Sequence, residues 1–187
     1  MPGLRVIAGE AKGRKLRMVP GQGTRPISDR VKESLFGILS GEVEGARFLD
    51  LFAGTGSVGI EALSRGATWA TFVDSSGRAV ATLRANLEAT RMADRAEVVR
   101  ADVFRYLARP AGDPYDLIYL APPQYAGLWL RTLQAIDSAP AWLVEGGQAI
   151  AQMHPKEWSL PDAKNLEMVD ERRYGSTLLA FFERTRS

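Results

Sequence analysis

Phe48-Leu49-Asp50-Leu51-Phe52-Ala53-Gly54-Thr55-Gly56-Ser57-Val58-Gly59 is an apolar run with one carboxylate that breaks into a glycine-rich turn. The turn leads into Ile60-Glu61-Ala62-Leu63, which has the composition of a helix, so the stretch reads as strand, turn and helix with a nucleotide-type ligand at the turn. Gly54, Gly56 and Gly59 fit G-x-G-x-x-G, a spacing that suits a NAD-binding Rossmann enzyme and also occurs in plain tight turns. Asp50 tips the balance. A carboxylate near the strand end repels a pyrophosphate, whereas S-adenosylmethionine (SAM) has no phosphate and carries a sulfonium and an α-ammonium that a carboxylate attracts. The stretch therefore favours SAM, with NAD and a structural turn as the alternatives.

Working outward, the pattern alternates strand and helix. Strand 47–52 is followed by a helix over 57–65 closed by Gly66, then by strand 67–73 ending at Asp74. A helix over 77–91, strand 96–100 with Asp102 just beyond it, and strand 115–120 come next. The loop Ala121-Pro122-Pro123-Gln124-Tyr125, a helix over 127–136 and strand 148–153 follow. Runs 166–173 and 177–184, joined at Tyr174-Gly175-Ser176, read as an antiparallel hairpin. Upstream, Ser28 is the expected N-cap of a helix over 29–39, and residues 4–19 read as a short hairpin with alternating basic and apolar positions. The expectation is an α/β, Rossmann-like, seven-stranded, mainly parallel sheet with a C-terminal antiparallel hairpin and a small N-terminal β-hairpin extension. It divides into a basic extension, residues 1–27, and a main domain, residues 28–187.

In such sheets ligands bind beyond the carboxyl ends of the strands. Asp50, Asp74, Asp102 and Ala121 all fall at or just past such ends, so they should line one crevice. Asp74 is placed to accept from a ribose diol, and Asp102 from an adenine amino group with Val103 or Phe104 against the ring. Phe52, Gly54, Thr55, Gly56 and Ser75 complete the cofactor set.

The chain of 187 residues is 45% hydrophobic, enough for one α/β domain with a core. There is no signal-peptide pattern, no apolar run of membrane length and no cysteine, so a soluble, cytoplasmic protein without disulfides or thiolate metal sites is expected. Net charge is only +2, but residues 1–32 hold eight basic against two acidic residues, a balance of +6 that leaves the remainder at −4. A basic segment on a mildly acidic domain suits phosphate binding, with Arg5, Lys12, Arg14, Lys15 and Arg17 as candidate RNA contacts. A solubilising tail is the alternative.

Three segments now carry a resemblance. Arg5-Val6-Ile7-Ala8-Gly9 with Gly13-Arg14-Lys15-Leu16, then Arg25-Pro26-Ile27-Ser28-Asp29-Arg30-Val31-Lys32-Glu33-Ser34-Leu35-Phe36, and Asp50 to Gly56 with Gly59 and Glu61-Ala62-Leu63-Ser64-Arg65-Gly66 resemble class I SAM-dependent methyltransferases. More narrowly, they resemble the RsmD family of ribosomal RNA guanine-N2 methyltransferases. The resemblance implies SAM as cofactor, a guanine exocyclic amine of small-subunit (16S) rRNA as acceptor, Arg25 and Pro26 near the cofactor, no metal, and a monomer acting on rRNA or a small-subunit particle.

The chain departs from the family after the fourth strand, where Asp or Asn, two prolines and an aromatic residue are usual. Here Ala121 has no acceptor side chain, so the acceptor set becomes the carbonyls around Ala121 and Pro122, with Pro123, the Gln124 amide and a stacking Tyr125. Three readings follow: an active RNA methyltransferase with a rebuilt acceptor set, a SAM-binding RNA-binding or assembly factor with weak or lost catalysis, and a methylase of another acceptor such as an adenine N6 amine or a small molecule. His154 is not expected to be a base, since a methylated amine loses its proton readily. Trp69, Trp129, Trp142 and Trp158 read as packing, with Trp129 bordering the acceptor loop at most. Tyr174 approaches the site only by resemblance.

Overall fold

The computed structural model describes residues 3–21 and 26–187. Among the described residues five α-helices and seven strands follow one another, alternating as far as β5: α1 (Asp29–Ile38), β1 (Arg47–Leu51), α2 (Ser57–Ser64), β2 (Trp69–Asp74), α3 (Gly77–Ala89), β3 (Ala96–Arg100), α4 (Val103–Ala108), β4 (Tyr115–Leu120), α5 (Leu128–Ser138), β5 (Leu143–Met153), β6 (Leu166–Tyr174) and β7 (Thr177–Arg184). They form one sheet in the order β3-β2-β1-β4-β5-β7-β6. The first five strands run parallel, and β7 is inserted antiparallel between β5 and β6.

Side-chain parity along the strands divides the core. Phe48, Phe72, Leu117, Tyr119, Ile150, Leu179 and Phe181 face one side, where α1, α2 and α3 pack. Leu49, Leu51, Val73, Ile118, Leu120, Ala149, Ala151, Leu178 and Phe182 face the other, against α4 and α5. The period of two places consecutive residues in opposite layers, and burying both faces explains why the strands read as nearly continuous apolar runs. Caps set the helix starts: Ser28 accepts from Val31 N at 3.2 Å, Ser76 from Ala79 N at 3.3 Å, and Asp102 from Phe104 N and Arg105 N at 2.9 and 3.1 Å.

The expected N-terminal hairpin pairs through one antiparallel bridge, Arg5 with Lys15, supported by backbone bonds such as Val6 N to Arg14 O at 3.0 Å and Leu16 N to Leu4 O at 2.8 Å. Leu4, Val6, Ala11 and Leu16 enter the same apolar cluster as α1 and α2. Two other elements differ from the pattern reading. The short α4 lies between β3 and β4, where the pattern assigns no element, and β5 begins five residues early, its pairing with β4 shifting register between Tyr115 and Leu117. Among the described residues no helix is long and apolar enough to cross a membrane.

Candidate active site

The strand register fixes what lies along the carboxyl edge of the sheet. Asp74 pairs with Arg100, Leu51 with Val73 and Leu51 with Leu120, so the segments leaving β3, β2, β1 and β4 emerge side by side. Backbone bonds continue this alignment past the strands: Ala53 N donates to Val73 O at 3.0 Å, and Ala101 N to Asp74 O at 3.1 Å. Asp102, Asp74, the glycine turn and Ala121 therefore follow one another across the edge in that order. The strand order reverses between β1 and β4, the switch point at which doubly wound sheets open a crevice. Two clefts of about 270 and 450 Å³ open at the opposite edge, around Asp116 with Gly147 and around Arg47 with Tyr115. They lie at the amino ends of the strands, the wrong end for a ligand of this sheet.

Close packing shapes the glycine turn. At Gly56, with φ of 80°, an added Cβ would lie 2.1 Å from Leu83 Cδ1. At Gly59 it would lie 2.3 Å from Phe72 Cε1 and 3.1 Å from Asp50 Oδ2. Gly54 differs, with φ of 56° and nothing within 4 Å of a Cβ built there, so the turn is tight beneath and open above.

Asp50 sits within β1 and not beyond it. It is 2% exposed and accepts from Gly59 N at 3.1 Å, and so anchors the first turn of α2. Burial pushes its carboxyl well above the usual carboxylate range, the Gly59 N–H pulls it down, and the charge of Asp74 pushes it up again. Burial also raises the Tyr119 phenol, as does the nearby Asp50 charge, and its hydroxyl donates to Gln152 Oε1.

Asp74 is the half-exposed carboxylate of the edge. Its Oδ2 accepts from Gly54 N at 2.9 Å and its Oδ1 from Ser76 N at 2.9 Å, which ties the glycine turn to the start of α3. Each oxygen keeps a second lone pair for a ligand hydroxyl. Asp102 caps α4 with Oδ1 alone, and beside it Phe52, at φ of 61°, meets Phe104 edge-on at 6.4 Å. The Arg131 guanidinium lies 3.8 Å from the Phe104 ring centroid. Ser75 is exposed at the same edge, Thr55 is half-buried in the turn and Val103 is buried under α4. Pro26 is half-buried ahead of α1, while Arg25 lies outside the described residues.

The acceptor loop leaves β4 next to the glycine turn. Ala121 is half-buried and its N–H reaches Leu51 O at 3.5 Å; Pro122 is buried, and Pro123, Gln124 and Tyr125 are exposed. Among the described residues no protein donor uses the carbonyl oxygens of Ala121 or Pro122. Tyr125, 66% exposed, has φ of 66° and donates its N–H to Glu157 Oε1 at 2.7 Å. His154 Nδ1 accepts from Lys156 N at 3.0 Å, capping a short turn. Trp129 is 2% exposed, donates to Glu157 O at 3.2 Å and stacks on Trp158 at 5.5 Å, as a packing residue does. Tyr174 ends β6 beside the hairpin turn at this same edge, with Arg30 of α1 5.9 Å from its ring centroid.

All five candidate RNA contacts are exposed but spread along the sheet. Arg5 donates to Asp29 at the start of α1 at 3.0 Å, near the carboxyl edge. Arg14 donates to Ala89 O at the far end of α3 at 3.2 Å, where a helix C-terminus favours a cation. Lys12 lies with it in the turn between Gly9 and Arg14, and Lys15 pairs with Arg5 in the bridge. Arg17 is held through its main chain: Arg17 N donates to Asn86 Oδ1 at 2.7 Å, and Asn86 Nδ2 donates to Arg17 O at 3.1 Å and to Thr55 O at 2.9 Å. Sequence reading missed Asn86, because one asparagine inside a helix carries no signal of its own. It missed Glu157 as well, a single glutamate ending the short turn Pro155–Glu157 after β5.

A buried ion pair anchors the segment further. Lys32 and Glu61, both 0% exposed, lie 3.2 Å apart, with Glu61 also accepting from Ile7 N at 2.9 Å, Ala8 N at 3.0 Å and Arg65 Nε at 2.8 Å. Lys32 Nζ further donates to Arg5 O at 2.6 Å and Ser57 Oγ at 2.9 Å. Burial lowers the Lys32 ammonium, and the Glu61 charge and hydrogen bond raise it against that. This cluster accounts for the Lys32 and Glu61 positions of the resemblance as architecture.

Comparison with known proteins agrees with the fold. The family model described as conserved hypothetical protein 95 matches residues 4–183. Ribosomal RNA small subunit methyltransferase D of Escherichia coli K12 is 34% identical over 179 residues, covering 91% of this chain and 89% of that one. A solved structure from Escherichia coli, yhhF, described only provisionally as a methyltransferase, superposes with a TM-score of 0.86 at 31% identity over 98% of this chain and 99% of that one. The fold alone is shared with SMU.776, a protein solved with SAH, at 23% identity and a TM-score of 0.66 over 82% of this chain and 48% of that one. With the family model spanning nearly the whole sequence and the relative from Escherichia coli covered over most of its length, the chain belongs to the RsmD family of ribosomal RNA methyltransferases.

Proposed function

We propose that the chain methylates the exocyclic N2 amine of a guanine in small-subunit rRNA, with SAM as methyl donor. The observation that carries this reading is the order of groups along the carboxyl edge: Asp102, Asp74, the open-topped turn at Gly54, then the loop Ala121–Tyr125. The residues fit the cofactor. A turn with free space above Gly54 and two carboxylates with spare acceptor capacity suit a nucleoside with a cationic tail, and Phe52 and Phe104 offer apolar ring contacts on the β3 side. Asp74 would hold the ribose hydroxyls and Asp102 with Val103 the adenine, while Asp50 acts from beneath by holding the turn through Gly59. When bound, SAM supplies an electrophilic methyl group on sulfur for attack by a nitrogen lone pair.

The chain's own task is to aim that lone pair. The carbonyl oxygens of Ala121 and Pro122 and the Gln124 amide oxygen accept the amine hydrogens, and Tyr125 fixes the base plane by stacking. Transfer would exchange the S–C bond of the donor for a C–N bond and leave a cationic amine that loses its proton to water, so the chain need supply no strong base. The second reading, a SAM-binding assembly factor with little catalysis, rests on Ala121, which contributes no side-chain acceptor. Methyl-labelled SAM with unmodified small-subunit rRNA or particles separates the two. N2-methylguanine in the digest is the expected product. SAM binding without transfer would favour the second reading, and label in adenine would move the acceptor.

A further inference from the structure

We infer that Glu157 is a positioning residue for the acceptor loop, which presents the outer face of Tyr125 to the target base. The inference rests on the RNA methyltransferase reading above. The Glu157 carboxylate joins segments that leave two different strands: Oε1 accepts from Tyr125 N at 2.7 Å and Oε2 from His154 N at 3.1 Å. Its own carbonyl is fixed by the buried Trp129 indole at 3.2 Å. A side chain tied to the core thus holds an exposed loop. The hold matters because Tyr125 has φ of 66°, a left-handed conformation that tyrosine rarely adopts and that a neighbour must keep in place.

The direction in which Tyr125 is offered follows from His154. The two ring centroids are 5.6 Å apart with a 38° tilt, too close for a base to slide between them. His154 therefore closes the space on its own side of the ring, and Tyr125, 66% exposed, offers its outer side for stacking. This gives the histidine a role as a support and leaves proton transfer to water.

The test measures methyl transfer to small-subunit rRNA, and SAM binding separately, for the wild type, Glu157→Ala, Glu157→Gln, Tyr125→Ala and the Tyr125→Ala/Glu157→Ala pair. Glu157→Ala should lower kcat/KM for RNA by about 10- to 100-fold, the scale of a misplaced contact, and leave SAM affinity within about twofold. Glu157→Gln, whose amide oxygen still accepts from Tyr125 N, should recover part of the loss. In the Tyr125→Ala background, Glu157→Ala should cost less than about a further twofold, because the ring it presents is gone. An equal cost in both backgrounds, or a matching fall in SAM affinity, overturns the inference. A wild type that methylates RNA alongside an unimpaired Glu157→Ala sinks the inference alone, whereas a wild type that binds SAM and methylates no RNA removes both.

Discussion

Asn86→Ala tests whether the basic segment and the glycine turn are joined through one side chain. Asn86 is 0% exposed and makes three side-chain hydrogen bonds, at 2.7 and 3.1 Å to the Arg17 main chain and at 2.9 Å to Thr55 O. At about 1 kcal/mol net for each bond, their loss costs roughly 3 kcal/mol. Alanine returns about 0.5 kcal/mol through its better helix propensity within α3, so a net loss of roughly 2 to 3 kcal/mol is expected. In a domain of this size that lowers the melting temperature by about 5–10 °C. Urea unfolding and thermal melting measure it. Asn86→Asp is the control, since it keeps the acceptor for Arg17 N but turns a carboxylate on the carbonyl oxygens of Arg17 and Thr55, and it should do at least as badly as alanine. A loss below about 0.5 kcal/mol for Asn86→Ala, or Asn86→Asp more stable than Asn86→Ala, would refute the reasoning.

Asp50→Asn should gain stability relative to the wild type as pH rises above the ordinary carboxylate range. The folded chain holds the Asp50 proton more tightly than the unfolded chain, so the wild type loses stability between the unfolded and folded pKa values, and the amide does not titrate. Urea titrations across that range check the sign, and a difference that shrinks with rising pH would contradict it. Ala121→Asn should raise the methyl-transfer rate by about 10- to 100-fold by restoring a side-chain acceptor, and an unchanged rate would mean the backbone carbonyls already suffice. Replacing Lys15 and Arg17 by alanine should reduce the salt dependence of RNA binding by a slope of about 1 to 2 with SAM affinity intact. Arg14→Ala, which removes a cation from the end of α3, should lower the melting temperature and change that slope less; equal slopes in both variants would argue against the division.

The sheet was legible because its strands are apolar runs separated by capped, stripe-bearing helices, and because Asp50, Asp74 and Asp102 recur just where such strands end. The missed features have local physical causes. The segment Val103–Ala108 is too short for helical periodicity to register, although Asp102 is the N-cap that starts it. The early start of β5 is hidden by Gly146 and Gly147, where the strand bulges before rejoining β4 at Gln148. Asp50 shows the limit of reading chemistry from position: the strand end was inferred correctly, but its parity turns the carboxylate inward onto Gly59 and away from solvent. The alignment of the strand ends was therefore readable residue by residue, whereas the supports beneath them, Asn86 and Glu157, depend on chain crossings that no spacing encodes.

The charge excess of the first 32 residues illustrates the same separation between what composition records and what geometry uses. Lys32 is spent inside the core against Glu61, Arg5 pairs with Asp29, Arg14 closes the end of α3, and Arg30 lies over the Tyr174 ring. Among the described residues, Lys12, Lys15 and Arg17 have no carboxylate within salt-bridge distance. Of these, Arg17 is held by the same asparagine that holds Thr55 of the glycine turn. A phosphate bound at Arg17 and a cofactor bound above Gly54 would thus bear on one buried side chain. Reciprocity then follows from linkage: if occupying the turn shifts Asn86, RNA affinity shifts by the factor by which RNA shifts SAM affinity. The basic segment is in this sense part of the scaffold of the glycine turn, and the hydrogen bonds that set its place in the fold are the ones such a coupling would use.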